Sequence, residues 1–302
     1  MMFKSKRKRK LFLVSAAFIA PALILYVALV VYPIFFSGYL SFTTWKGVGD
    51  IKWSGLKNYL YIFKDEDYLL CLRNTLMVTV LSMLIQVPMG LLLAYLLFRT
   101  KSRVFKVYRA IYFLPVVIAS TAIATMFRII MNNDVGVFNR VLEAVGLGGL
   151  VKPWLSDSGT VIYTVIFVQI WQYIGTYVII FLAAYQSIDD EVFESARMDG
   201  ANCIQQFFLI TCPLVKDIIC VALVLCFTGS MKSFDIPFIM TAGGPGYDSS
   251  YLGNYMYKAV FSGKKFGRGA AVTVTILVIS FTFTIIFNRL TRERTDEYGG
   301  AK

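Results

Sequence analysis

Six long apolar runs set the limits on what this chain can fold into. They fall at about Leu11–Ser37, Asn74–Phe98, Ala110–Met131, Thr160–Tyr185, Ile218–Met240 and Ala270–Phe287. A hydrocarbon core about 30 Å thick needs ~20 predominantly apolar residues in a helix, and each run comes close to that length. Barrel strands are about ten residues long and alternate polar with apolar side chains, a pattern these continuous runs lack. The 302 residues are 57% hydrophobic with a mean hydropathy of +0.65, more apolar surface than a water-soluble domain of this size needs for its core. The expected fold is all-α, a polytopic membrane protein of six transmembrane helices.

Charge sets the expected orientation. The chain carries a net charge of +12 and contains no histidine. Its basic residues cluster at the ends of the apolar runs, which favours an anionic membrane surface over nucleic acid. With the N-terminus inside, seventeen Lys and Arg lie in the inner segments, against ten in the outer loops at 40–73, 132–159 and 241–267. That bias agrees with the positive-inside rule. The organisation expected is a basic cytoplasmic tail at 1–10, a six-span domain at 11–287 with a cytoplasmic loop at about 186–217, and a cytoplasmic tail at 288–302. The opening KSKRKRK resembles the start of a signal peptide, but the apolar run behind it is too long for a cleaved one.

Several chemistries are excluded by residue type. Without histidine there is no Ser/His or Cys/His pair. Cys71, Cys203, Cys212, Cys220 and Cys226 form no C-x-x-C pair and read as small packing residues. No Gly-x-x-x-x-Gly-Lys phosphate loop is present, so ATP hydrolysis is not expected of this chain. The first four runs contain essentially no carboxylate, which argues against a proton- or sodium-coupled secondary transporter.

The most informative segment is ESARMDGANCIQQFFLITCP, from Glu194 to Pro213. It reads as two short helices around a tight turn. Asp189 or Asp190 can cap the first helix. Phe193, Ala196 and Arg197 share a face, and Gly200 permits a left-handed turn. Ile204, Phe207 and Phe208 give the second helix an apolar face. The segment resembles the EAA motif of ATP-binding cassette importer permeases. Glu194, Ala196, Gly200, Ile210 and Pro213 match that motif, while Ser195 stands where it has Ala and Cys212 where it has Leu. In that family the loop is a coupling helix seated in a cleft of the ATPase. The resemblance therefore implies a docking role for Glu194, Ser195, Ala196, Asp199, Gly200, Ile210 and Pro213, and a type I importer fold.

Further stretches resemble carbohydrate-importer permeases of the maltose and oligosaccharide type. They are Gly55-Leu56-Lys57-Asn58-Tyr59; Gly136, Asn139 and Leu142 with Gly146-Leu147 and Trp154-Leu155; Phe234-Asp235 with Thr241-Ala242-Gly243-Gly244-Pro245; and Asn254-Tyr255-Met256-Tyr257. Gly243, Gly244 and Pro245 are, by this resemblance, a candidate contact for an extracellular binding protein; a plain turn at the end of a span is the other reading.

Candidate path residues come from the fourth and fifth runs. Gln169, Gln172, Tyr173 and Thr176 follow helical spacing along one face. Phe227, Ser230, Met231 and Phe234 run in a similar register, and Lys232 and Asp235 are spaced to pair. Polar groups facing lipid are costly, so these faces should turn inward, either lining a cavity or bonding between helices. The resemblance implies import of a sugar or oligosaccharide into a bacterial cell, with both termini cytoplasmic. It also implies a second, homologous permease, two ATPase subunits that hold the ATP and Mg, and an extracellular solute-binding protein. No cofactor is expected in this chain. Another polar cargo, such as a glycerol phosphate, stays open at this level.

Overall fold

A computed structural model describes residues 6–99 and 104–299, with side chains over 12–99 and 110–291. Parts of the two expected tails, 1–5 and 300–302, and residues 100–103 lie outside the described residues. Two compact units divide the chain: Met1–Ile62 with Lys258–Thr275, and Phe63–Tyr257 with Ile276–Lys302.

The first unit begins with α1 (Lys6–Tyr26), a five-residue wide turn at Val27–Val31, and α2 (Tyr32–Ser41). Pro33, just beyond the wide turn, has no N–H to give to the carbonyl one turn back, and a π-turn absorbs the mismatch. The most apolar 18-residue window of Phe12–Ser41 has a mean hydropathy of 2.5, and none of it is buried within the protein. Such a surface is suited to lipid or to a partner. A short antiparallel hairpin follows, β1 (Thr43–Thr44) and β2 (Lys52–Trp53), then α3 (Lys57–Ile62). Asn58 Nδ2 donates to Ser41 O and Thr43 O, both at 2.8 Å, and Tyr59 Oη donates to Ser41 Oγ at 2.8 Å. The Leu-x-Asn-Tyr stretch thus ties α3 to the end of α2.

The second unit is built on α4 (Glu66–Arg99), α5 (Val104–Val117), α6 (Ser120–Ile130), α7 (Val137–Ala144) and α8 (Val161–Gln186). They are followed by α9 (Asp190–Met198), α10 (Cys203–Gln205), a wide turn at Gln206–Thr211, α11 (Cys212–Leu214), α12 (Lys216–Met231), α13 (Asp235–Thr241) and α14 (Leu252–Tyr257). The last helix, α15 (Phe266–Gly299), starts in the first unit and ends in the second.

Helices α4 and α8 form the centre, flanked by α5 and α12. One apolar cluster joins Ala94, Tyr95, Phe181, Tyr185, Phe207 and Cys226; another joins Val78, Ile123, Val165, Ile166, Met240 and Tyr251. Small residues permit close approach where no water-driven force holds helices together. At Gly175 on α8, a Cβ would stand 2.1 Å from the carbonyl oxygen of Tyr112.

Four helices among the described residues are long and apolar enough to span a membrane, and two bent pairs bring the number to six. The chain is a multi-pass membrane protein. The apolar runs understate the helices, because the backbone stays helical through polar ends that no hydropathy window includes. Thus α4 starts at Glu66, with Glu66 and Asp67 in its first turn, where carboxylates suit the helix dipole. Two runs expected to be single helices are not. The third bends by 101° between Val117 and Ser120. The fifth, expected to continue to Met240, stops at Met231 and resumes at Asp235.

Candidate functional site

The interruption between α12 and α13 makes the site. Phe234 takes φ −144° and ψ −45°, outside helical values. Non-helical backbone at membrane depth persists only where protein buries it or a water-filled cavity meets it. Both conditions are met. Asn254 Nδ2 donates to Phe234 O at 3.2 Å, and Ser233 Oγ donates to Gln169 Oε1 at 2.9 Å. A cavity of about 260 Å³ opens against the break.

Its wall comes from four helices and the break between the last two. Gln86 comes from α4; Gln169, Tyr173 and Tyr177 form a stripe at four-residue spacing on α8; Ser230, Lys232, Ser233, Phe234 and Asp235 surround the break. Gln86 is 2% exposed; its Nε2 donates to Gln169 O at 3.4 Å and its Oε1 accepts from Cys226 Sγ at 3.6 Å. Hydrogen-bonding groups therefore share the surface with the rings of Tyr173, Tyr177 and Phe234. Phe234 itself stacks on Phe238, 4.8 Å between centroids.

The candidates from the sequence divide. Gln169, Tyr173, Ser230, Lys232, Phe234 and Asp235 line the cavity, while Gln172, Thr176 and Phe227 do not. Gln172 is buried, with its Nε2 3.4 Å from Ile118 O at the bend of the third span. That bond serves a carbonyl freed by the bend. Phe227 stacks on Phe283 at 3.7 Å. Lys232 and Asp235 form no ion pair among the described residues. Three-residue spacing pairs side chains only on a continuous helix, and the helix stops between them. Asp235 instead accepts from Ser120 Oγ at 2.9 Å. Sequence reading missed Gln86 and Ser233. Gln86 carried a usable signal, as an amide in the middle of a mostly apolar span.

A second feature lies at the other end of α4 and α8. Helix α9 ends at Met198, and Gly200 turns the chain with φ +80°. Ala201 N donates back to Ala196 O at 2.9 Å, closing the helix end. Asn202 and Gln205 then cap α10 reciprocally, at 2.9 and 2.8 Å. Asp189 occupies the N-cap position of α9, but its side chain makes no capping bond. Phe193 and Ala196 are buried, with Phe193 5.5 Å from Phe98. Glu194, Ser195, Asp199 and Gly200 are exposed on the outer surface of the turn, Ile210 is half-buried and Pro213 is exposed. Phe207 packs on Tyr95 at 4.9 Å, whereas Ile204 and Phe208, expected on the same apolar face, stay exposed. The wide turn at Gln206–Thr211, before Pro213, redirects that face.

A polar tether fixes this loop to the span. Arg99 Nη1 donates to Gln206 Oε1 at 2.7 Å and to Tyr95 Oη at 2.9 Å. Tyr95 Oη donates to Cys203 O at 2.9 Å, and Gln206 Nε2 to Ala201 O at 2.7 Å.

The Gly-Gly-Pro segment is folded in, not displayed. Gly243 is buried, and Gly244 and Pro245 are half-buried. Ser250 Oγ donates to Gly243 O at 2.8 Å, Ser249 Oγ to Gly244 O at 2.7 Å, and Asn74 Nδ2 to Asp248 O at 2.8 Å. Burial raises the phenol pKa of the neighbouring Tyr251. In the loop after α6, Trp154 Nε1 donates to Asn139 Oδ1 at 2.7 Å and Asn139 Nδ2 to Lys152 O at 3.1 Å. The motif residues of these connecting loops thus have structural duties.

Residues 86–295 match the family described as "Binding-protein-dependent transport system inner membrane component". The probable ABC transporter permease protein YurN of Bacillus subtilis is 38% identical over 271 residues, covering 89% of this chain and 92% of that protein. The lactose transport system permease protein LacF of Rhizobium radiobacter is 30% identical, covering 92% of this chain and 93% of that protein. Among solved structures, a chain of a bacterial ABC transporter involved in alginate import superposes with a TM-score of 0.84 at 24% identity, over 95% of this chain and 98% of that one. That likeness speaks for the fold.

Proposed function

The chain belongs to the family of binding-protein-dependent transport system inner membrane components, and from that we propose that it is one of two permease subunits of an ATP-binding cassette importer for a sugar or oligosaccharide. The family is that of the permease component, not of a catalytic subunit. The observation that carries the reading is the cavity at the α12–α13 break, where amides, hydroxyls and aromatic rings meet in the membrane domain. Sugars offer hydroxyls to such donors and acceptors, and apolar ring faces to such aromatics. Lys232 and Asp235 together leave the wall without net charge, which favours a neutral polyol over a glycerol phosphate. Relatives named for lactose, for starch degradation products and for multiple sugars point the same way. At about 260 Å³ the cavity is smaller than the ~300–1,000 Å³ of a complete small-molecule site. A second, homologous permease facing Lys232 and Asp235 would complete it.

In this reading both termini are cytoplasmic, in keeping with the distribution of Lys and Arg. The turn carrying Glu194, Ser195, Asp199 and Gly200 docks on a separate ATPase subunit, which holds ATP and Mg. Closure of the ATPases moves this turn, and the tether through Arg99 passes the movement to α4, switching the cavity between inward and outward access. An extracellular binding protein delivers the cargo, and Gly243–Pro245 shapes the loop it meets.

The test is uptake by the reconstituted complex. Gln169→Ala and Lys232→Ala should each reduce transport of a saturating sugar by about ten-fold, on the scale of one lost polar contact, with subunit assembly intact. Unchanged apparent affinity and rate in both variants would remove the cavity from the path.

A further inference from the structure

A second cavity, of about 620 Å³, lies within the first unit, between the β1–β2 hairpin and the start of α15. Five cations line it, Lys46, Lys52, Lys264, Lys265 and Arg268, against one carboxylate, Asp50. Among the described residues none of the five is in an ion pair. Arg268 lies over the ring of Tyr61, 3.3 Å from guanidinium carbon to centroid, which fixes its position without neutralising it. Gly267 and Arg268 also line the cavity, and first-turn N–H groups have no acceptor within their own helix. Five cationic residues and the start of a helix therefore border one space, an arrangement that selects an anion.

Position identifies which anion. The cavity adjoins the end of α2 and the beginning of α15, the termini of two apolar spans, so it lies at headgroup depth. Trp53, on β2 beside it, is 68% exposed and stands 6.4 Å from Tyr39; amphipathic aromatics of this kind mark the membrane interface. The span 12–41 next to it keeps its most apolar window unburied and can hold acyl chains. We propose that this cavity is a binding site for the headgroup of an anionic phospholipid, which ties the hairpin and the last span to the bilayer. With both termini cytoplasmic, the lipid belongs to the outer leaflet; that leaflet assignment alone rests on the functional reading above.

The experiment is native mass spectrometry on the full chain, purified with its accompanying subunits and titrated with equimolar phosphatidylglycerol and phosphatidylcholine. The wild type should retain phosphatidylglycerol about ten-fold over phosphatidylcholine, on the scale expected for one or two interfacial cations. Lys264→Gln with Lys265→Gln should bring the ratio to within about two-fold of unity. Lys264→Arg with Lys265→Arg should keep the preference, which separates loss of charge from loss of fold. No preference in the wild type, or a preference that survives the double Gln variant, would overturn the proposal. So would displacement of the lipid by soluble glycerol phosphate at equal concentration, which would mark a soluble anion. Weaker capture of an acidic binding protein by the Gln variant, with lipid retention unchanged, would assign the surface to protein docking and overturn it as well.

Discussion

Arg99→Ala should loosen the loop at 199–211 far more than its surface position suggests. Arg99 is exposed, but its acceptor Gln206 is 2% exposed. The bonds at 2.7 and 2.9 Å hold a buried amide oxygen and a phenol that carries on to Cys203 O. A hydrogen bond to a charged group contributes about 1.5–3 kcal/mol, and orphaning a buried acceptor costs about 1–3 kcal/mol. Solvent screening of the exposed guanidinium favours the lower end, so the loss is about 2 kcal/mol of local stability. At about 1.4 kcal/mol per factor of ten, transient opening of the loop becomes ~30-fold more frequent. Amide hydrogen exchange over residues 203–211, in the detergent-purified chain, reads this directly. Gln206→Leu in the same background removes the orphaned group, so the double variant should be less destabilised than the two single effects added together. Exchange unchanged within about two-fold, or strictly additive effects, would refute the tether.

Gly200→Val should lower ATP-coupled uptake at least ~ten-fold, because a Cβ-bearing residue at φ +80° costs about 1–2 kcal/mol; Gly200→Asn should keep much of it, since Asn tolerates that conformation. Gly175→Ala brings a methyl to 2.1 Å from Tyr112 O, and α5 must shift from α8 at a cost of about 1–3 kcal/mol, visible as a lower midpoint of thermal aggregation in detergent. Asn139→Ala removes the acceptor of Trp154 Nε1 and should expose the following loop, read as faster limited chymotrypsin cleavage after Trp154.

Much of this architecture was legible because bilayer thickness acts on sequence so plainly. Runs near twenty apolar residues admit few structures, and the spacing from Glu194 to Pro213 carried a turn that Gly200 realises with positive φ. The bends were harder to read. Nothing apolar or polar in Lys232-Ser233-Phe234 ends a helix by propensity; the break is held by Asn254 and Gln169, partners distant in sequence. For the same reason the α8 face was displaced. Helical spacing allows both Gln172 and Tyr177 near Gln169, and only the bend of the third span, which occupies Gln172, selects the stripe through Tyr173 and Tyr177. The loop motifs at Asn58, Asn139 and Gly243 could be recognised as patterns, while their duty as fasteners of local backbone depended on contacts that sequence spacing does not encode.

In the proposed function, energy enters this membrane domain from a separate ATPase through the turn at Glu194–Gly200. The direct measurement is ATP hydrolysis by the complex in proteoliposomes, with and without substrate-loaded binding protein, for the wild type and for Glu194→Arg. Loaded binding protein should stimulate hydrolysis several-fold in the wild type, and Glu194→Arg should lose both the stimulation and the co-purifying ATPase. Full stimulation with the reversed charge, or purification of a transport-competent complex that contains no ATPase, would contradict it.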